Sequence, residues 1–239
     1  MKIDYEILKN PTSELRGKPF WAWNGEIEEK EIDFQIECLK KMGFGGAFIH
    51  SRTGLKTEYM GEKWLKLVRH AAEKLAEHGL EAYLYDEDRW PSGTCGGYVT
   101  ETKEFRAKYM TYVEVVSGEN PDSNGNDENF EKPEHDENFE KPENFLGLFA
   151  VEFCGEAAKS YRKISVPSEK KENERVFAFY FDYMQPDSFY NGYTYADTMN
   201  KAATERFIEL THEKYFEAFG ELFGTVIKGI FTDEPHRNP

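Results

Sequence analysis

A chain of 239 residues, 39% hydrophobic and 15% aromatic, carries enough apolar surface to bury a core, which excludes a disordered polymer. Its 45 acidic against 30 basic residues leave a formal charge of −15, a surface that repels phosphate backbones and anionic lipid, so neither nucleic acid nor membrane is expected as a partner. Three scattered cysteines (Cys38, Cys95, Cys154) form no disulfide framework or zinc spacing, and "MKIDYEILKN" has no apolar leader, so reduced thiols and a cytoplasmic location are expected.

The first hundred residues alternate between two periods. "KPFWAWNG" (18–25) is a short apolar run, followed by an acidic segment that places Ile32, Ile36 and Leu39 on one helical face and stops at Gly43. "GGAFIHSRTG" (45–54) is a second run. The next segment sets Met60, Trp64, Leu67, Val68, Ala71 and Leu75 on one stripe and closes at Gly79. "LEAYLYDEDRWPSG" (80–93) is a third run. Nearly continuous apolar strands separated by amphipathic helices predict a parallel sheet covered by helices, with right-handed crossovers.

The next run of this kind, "TVIKGIFTDEP" (225–235), comes far later than a βα unit of about 30 residues needs. The segment 105–195 reads as an inserted antiparallel β subdomain, because "KYMTYVEVV", "FLGLFAVEF", "SYRKISV" and "RVFAFYFDYM" read as strands. Within it "DENFEKPEHDENFEKPEN" writes a nine-residue unit twice, which predicts a mobile loop over 120–144. A helix then carries Ala203, Phe207, Leu210, Thr211, Tyr215 and Ala218 inward, with Asp197 or Asn200 as its cap. The expected organisation is 1–104 as three βα units, 105–195 as the insertion, and 196–239 as a helix and a fourth strand. A complete (β/α)8 barrel needs eight strands, so the fold class expected is α/β, a partial TIM-type barrel of about four parallel strands. Its two open edges predict self-association.

Chemistry in such barrels sits at the carboxy-terminal ends of the strands. Those ends carry Trp23 and Asn24, then His50 and Arg52, then Asp86, Glu87, Arg89 and Trp90, then Asp233, Glu234 and His236. Carboxylates and Asn grip hydroxyls, indoles stack on sugar rings, and a carboxylic acid can protonate a leaving oxygen. Strand alternation puts Glu234 with Thr232 on one face and Asp233 on the other, and Glu234 is the candidate acid. An ordinary polar strand end explains Asp233-Glu234 equally well from spacing alone. Trp64 belongs to the core, and His70, His78, His135 and His212 to the surface. "SGTCGG" (92–97) matches no nucleophile elbow or phosphate loop and reads as a turn. A metal site from His50, Glu87 and Asp233 has no supporting spacing.

The strings "PFWAWNGEI", "GGAFIHSRTGLKTEYMGEKW", "AYLYDEDRWPSGTCGGYVT" and "GIFTDEPH" resemble the amino-terminal half of the catalytic barrel in family 106 α-L-rhamnosidases. The likeness runs from about Lys18 to Val99 and from about Tyr195 to His236. It implies an inverting glycosidase, with calcium as a cofactor that such sites admit. It implies Glu234 as general acid and a general base on a later strand outside this chain, so that this chain alone would lack turnover. Asp86, Glu87, Arg89, His50, Arg52, Trp23 and Asn24 would line the sugar pocket. A non-catalytic carbohydrate-binding protein and a metal-dependent sugar isomerase or aldolase-like barrel are the alternatives that fold likeness leaves open.

Overall fold

The computed structural model describes residues 5–116 and 139–237. These fall into two compact units: Met1–Ala107 with Gln185–Asn238, and Lys108–Met184.

The first unit opens with a short helix, α1 (Tyr5–Lys9), and continues β1 (Phe20–Gly25), α2 (Glu29–Lys41), β2 (Gly46–Leu55), α3 (Glu62–Glu77) and β3 (Glu81–Tyr85). Acidic residues in the first turn of α2 (Glu29, Glu31) and lysines in its last (Lys40, Lys41) complement the helix dipole. Gly43 and Gly79 take the left-handed backbone (φ 84° and 71°) just beyond the two helices, where a side chain would be strained. After the second unit the chain returns through α4 (Lys201–Ile208), a π-helical turn (Glu209–Glu213), α5 (Lys214–Phe219) and β8 (Ile227–Phe231). Asn200 caps α4 by accepting the amide of Ala202 at 3.1 Å. Ala203, Phe207, Thr211, Tyr215 and Phe219 are all buried, four residues apart. A stripe with a four-residue step drifts around a helix of 3.6 residues per turn, and the π-turn takes up the excess.

Strands β1, β2, β3 and β8 pair in that order, all parallel, with Trp21, Ile49, Leu84 and Ile230 in one row. That row and its neighbours (Trp23, Ala47, Ala82) face the helices and form one core with Ile32, Ile36, Trp64, Leu75 and Phe219. The opposite face carries Phe20, Phe48, Tyr83 and Phe231, ring against ring at 4.7–5.8 Å, and Phe20 is 55% exposed. The four strands form an open sheet. Among the described residues no further strand flanks it and no barrel closes, so the expected partial α/β sheet of four parallel strands stands.

The second unit is an antiparallel sheet ordered β4 (Lys108–Glu114), β7 (Glu174–Tyr183), β5 (Phe145–Cys154), β6 (Ala157–Ile164). Alternation sends Leu148, Ala150, Val176 and Ala178 to one face with Ile164. The other face stacks Tyr112, Phe149, Phe177 and Phe179. Its limits correct the expected 105–195. Residues 185–195 belong to the first unit, where the Tyr195 hydroxyl donates to the Ser92 carbonyl at 2.9 Å and Ala107 donates to the Tyr195 carbonyl at 2.9 Å. Most of the expected loop at 120–144, including the first copy of the nine-residue repeat, lies outside the described residues. Among those described, no helix is long and apolar enough to cross a membrane.

Candidate functional site

The end of β3 turns three consecutive acids three ways. Asp86 points to the helix side of the sheet, fully buried, accepting hydrogen bonds from Ser92 Oγ at 2.6 Å and Thr232 Oγ1 at 2.6 Å. Burial pushes its acidity toward the neutral form, opposed by those two hydroxyls and by His212, whose Nε2 lies 3.5 Å from Oδ2. His212 was expected at the surface; the structure seats it half-buried against this carboxylate.

Glu87, expected to line a sugar pocket, is fully buried and faces its own chain. Its Oε2 accepts the amides of Gly93 (3.0 Å), Thr94 (2.7 Å) and Cys95 (2.8 Å) and the Thr94 hydroxyl (3.1 Å). Its Oε1 accepts the amides of Asp88 (2.9 Å) and Gly96 (2.5 Å). Positive φ at Gly93, Cys95, Gly96 and Gly97 is what folds these amides inward into a nest. The glycine-rich "SGTCGG" is therefore an anion cradle after all, and the anion is the chain's own. Burial pushes the Glu87 carboxyl up to about 7 against the pull of these amides.

Asp88 and Arg89 pair with each other at 2.9 Å, and Asn191 Nδ2 donates to Asp88 at 3.0 Å. They line a small polar hollow with Lys56, Glu58 and Tyr98, away from the strand-end acids of β8. Trp23 is a second correction. It lies on the helix-facing side, 3% exposed, edge-on to Trp21 and Trp64, and is a core residue.

Of the remaining candidates, the fully buried His50 and the half-buried Asp233 meet on Tyr85, and Glu234 and His236 meet on Trp90, while Asn24 and Arg52 stand exposed on β1 and β2. The His50 ring stacks on Tyr85 at 3.7 Å, and its Nδ1 donates to the Ser51 carbonyl at 2.7 Å. Burial lowers the His50 pKa. The Tyr85 hydroxyl donates to Asp233 Oδ2 at 3.3 Å. Ser92 and Asp233 clamp the two strand ends: the Ser92 amide donates to the Asp233 carbonyl at 2.9 Å, and the Asp233 amide to Ser92 Oγ at 2.9 Å.

Strand geometry ends at Phe231, so alternation does not carry to Glu234 as expected. Glu234 adopts φ 44°, a left-handed conformation that costs a non-glycine residue about 1 kcal/mol or more. That turn brings its carboxylate to the exposed indole of Trp90, whose Nε1 donates to Oε2 at 3.1 Å. The Trp90 ring lies 5.9 Å from His236, and His236 stacks on Tyr195 at 4.5 Å. Tyr85, Ser92 and Tyr195 were not foreseen as parts of this rim. Only Tyr85 had a signal, as the open-face neighbour of Asp86 in β3.

Calcium takes six to eight oxygen ligands. Asp86 and Glu87 already accept hydrogen bonds from their own chain, and among the described residues no three His, Cys, Asp or Glu side chains gather as a metal site. The residues present do not fit that ion.

No family model matches the chain, and no curated protein does. Among solved structures, a rhamnosidase from Novosphingobium sp. PP1Y superposes with a TM-score of 0.39 at 20% identity, over 61% of this chain and 15% of that one. The chain thus corresponds to a small part of that enzyme's length, and the likeness is too slight to carry either fold or function.

Proposed function

We propose that the rim at the carboxy-terminal ends of β3 and β8 is a carbohydrate site of glycoside-hydrolase type, with an α-L-rhamnoside as the substrate class and Glu234 as the acid. One observation carries the reading: a non-glycine residue is held in left-handed backbone so that its carboxylate meets an exposed indole. Strained backbone of this kind gathers at sites where the direction of a side chain matters. An indole presents a flat apolar face to a sugar ring, and its N–H holds the neighbouring carboxylate in place. Asn24 and Arg52 add exposed polar groups on β1 and β2, and the buried Tyr85, with His50 stacked on it, holds Asp233 from behind. The chemistry would be protonation of the glycosidic oxygen by Glu234. Inversion further needs a second carboxylate roughly 6.5–9.5 Å away to activate water, a role this reading assigns to none of the described residues. Sugar binding without turnover by this chain alone is the second reading, favoured by the exposed Trp90 ring.

Titration with L-rhamnose and with 4-nitrophenyl α-L-rhamnopyranoside tests both. Binding should weaken about tenfold or more in W90A. E234Q should keep most of the binding and lose whatever turnover the parent shows. Absence of binding in the parent, or full turnover in E234Q with an unactivated leaving group, would overturn the assignment.

A further inference from the structure

We infer that Tyr195 and Thr198 are positioning residues that clamp His236 and thereby hold Glu234 in its left-handed turn against Trp90. A residue keeps such backbone only where its surroundings over-determine the chain. Fixed points lie on both sides of Glu234. Before it, the Asp233 amide and carbonyl are both bound to Ser92 at 2.9 Å. After it, the ring of Pro235 fixes that residue's own φ, and His236 is held at three places. Its amide donates to the Tyr195 hydroxyl at 3.1 Å, its carbonyl accepts the Thr198 hydroxyl at 2.7 Å, and its ring stacks on Tyr195 at 4.5 Å. Tyr195 also joins the two sides, because its hydroxyl donates to the Ser92 carbonyl at 2.9 Å. Burial pushes that hydroxyl up to about 12, so it keeps the proton it donates.

Glu234 and Pro235 therefore span two anchors that are tied to each other. The bond from Trp90 does not replace them. Glu234 is exposed, and water competes there for both partners of that bond. Tyr195, by contrast, is fully buried. The clamp is anchored in turn: the Tyr195 carbonyl accepts the Ala107 amide at 2.9 Å, the Asp197 amide donates to the Phe105 carbonyl at 2.8 Å, and Asn200 Nδ2 donates to the Glu104 carbonyl at 3.2 Å. Tyr195 is thus fixed to the stretch by which the chain leaves the first unit, and the segment that returns to that unit sets the direction of the acid. That the clamp serves catalysis rests on the reading of Glu234 as the acid; that it holds Glu234 against Trp90 does not.

Proton–nitrogen correlation NMR of the intact chain tests it through the indole N–H of Trp90, whose signal W90F identifies among the four tryptophans. E234A fixes where that signal lies once the indole has lost its acceptor. Y195F keeps the ring that stacks on His236 and removes only the hydroxyl. It should carry the Trp90 signal at least half of the way to its E234A position, with the other indole signals in place. T198V, which frees the His236 carbonyl, should move it in the same direction, and it carries the test should Y195F fail to fold. I36V, a change in the core under α2, should leave the signal where it is. A Trp90 signal unmoved in both clamp variants would overturn the inference, and so would an I36V shift as large as that of Y195F. Rhamnose binding should weaken in Y195F, by less than in W90A. If the parent binds no rhamnose, the sugar reading fails and the Trp90 signal still decides the clamp.

Discussion

The two units hold their carboxylates by opposite means. In the parallel unit Asp86 and Glu87 are buried and accept hydrogen bonds from neutral amides and hydroxyls, with no lysine or arginine paired to them among the described residues. In the antiparallel unit Glu174 takes two hydrogen bonds from Arg162 at 2.7 and 3.1 Å, Glu114 is forked by Arg175, and Glu152 meets Lys159 at 2.7 Å. Burial drives the first pair toward the neutral form. Cationic neighbours pull the second set toward the charged form, with Arg162 bringing Glu174 down to about 2. Neutral donors make a carboxylate a structural part that fixes the backbone around it. Cationic partners at a surface fix little, because solvent and salt compete for the same charges.

The strongest way to break this contrast is E87A. It strands the buried amides of Asp88, Thr94 and Cys95 and the half-buried amides of Gly93 and Gly96, and each partner lost away from water costs about 1–3 kcal/mol before relaxation. A loss of about 4 kcal/mol or more is expected in urea unfolding, with fast hydrogen exchange at 93–97. A loss below about 1 kcal/mol would show that the loop holds its shape without the carboxylate.

The same group sets a pH response. Glu87's folded value of about 7 lies above its ordinary 4.5, so between these the folded state holds the proton more tightly than the unfolded one. Its contribution is therefore greatest below pH 4.5 and is lost as the pH rises through about 7. Amide exchange at 94–96 should quicken across that window, and a flat profile from pH 4 to 8 would argue that the five amides, not burial, govern this group.

Two glycines sharpen the contrast at smaller scale. Gly97 has φ 109°, and a Cβ there would overlap the Tyr193 ring, whereas Gly155 in the other unit has φ 63° and open space around it. G97A is expected to cost about 2–3 kcal/mol, from strain plus displacement of the ring, and G155A about 1 kcal/mol, from strain alone. Equal losses would mean that Tyr193 moves freely.

Legibility in the sequence followed the range of the interaction. Helices and strands were readable because their periods are local: Ile32, Ile36, Leu39 and the Trp64–Leu75 stripe are all buried. Trp23 was misjudged although its period held the answer, since alternation from Trp21 places both indoles on the helix side with Ile49. Glu87 was not readable, because all its amide partners but Asp88 lie six to nine residues on, in a loop shaped by four left-handed residues. His212 was hidden for a similar reason. It stands in the π-turn, where the simple helical stripe used to sort inside from outside breaks.

The smallest effect is expected where the contrast is purest, at Glu174. Arg162, and then the amide of Lys171, depress its carboxyl to about 2 from an ordinary 4.5, so the unfolded state takes up a proton first as the pH falls. The stabilisation it gives is present above pH 4.5 and is lost as the pH drops through about 2, the reverse of Glu87 on both counts. R162A removes the cause named first and should move that loss upward in pH, toward the ordinary glutamate range, and lower neutral-pH stability by the amount linked to that shift, which solvent around the half-exposed Arg162 keeps small. Amide exchange along β6 and β7 between pH 2 and 5 reads this directly. If R162A left the acid limb where it was, Lys171 and the backbone would be the real holders of Glu174, and both units would be fixing their carboxylates in the same way.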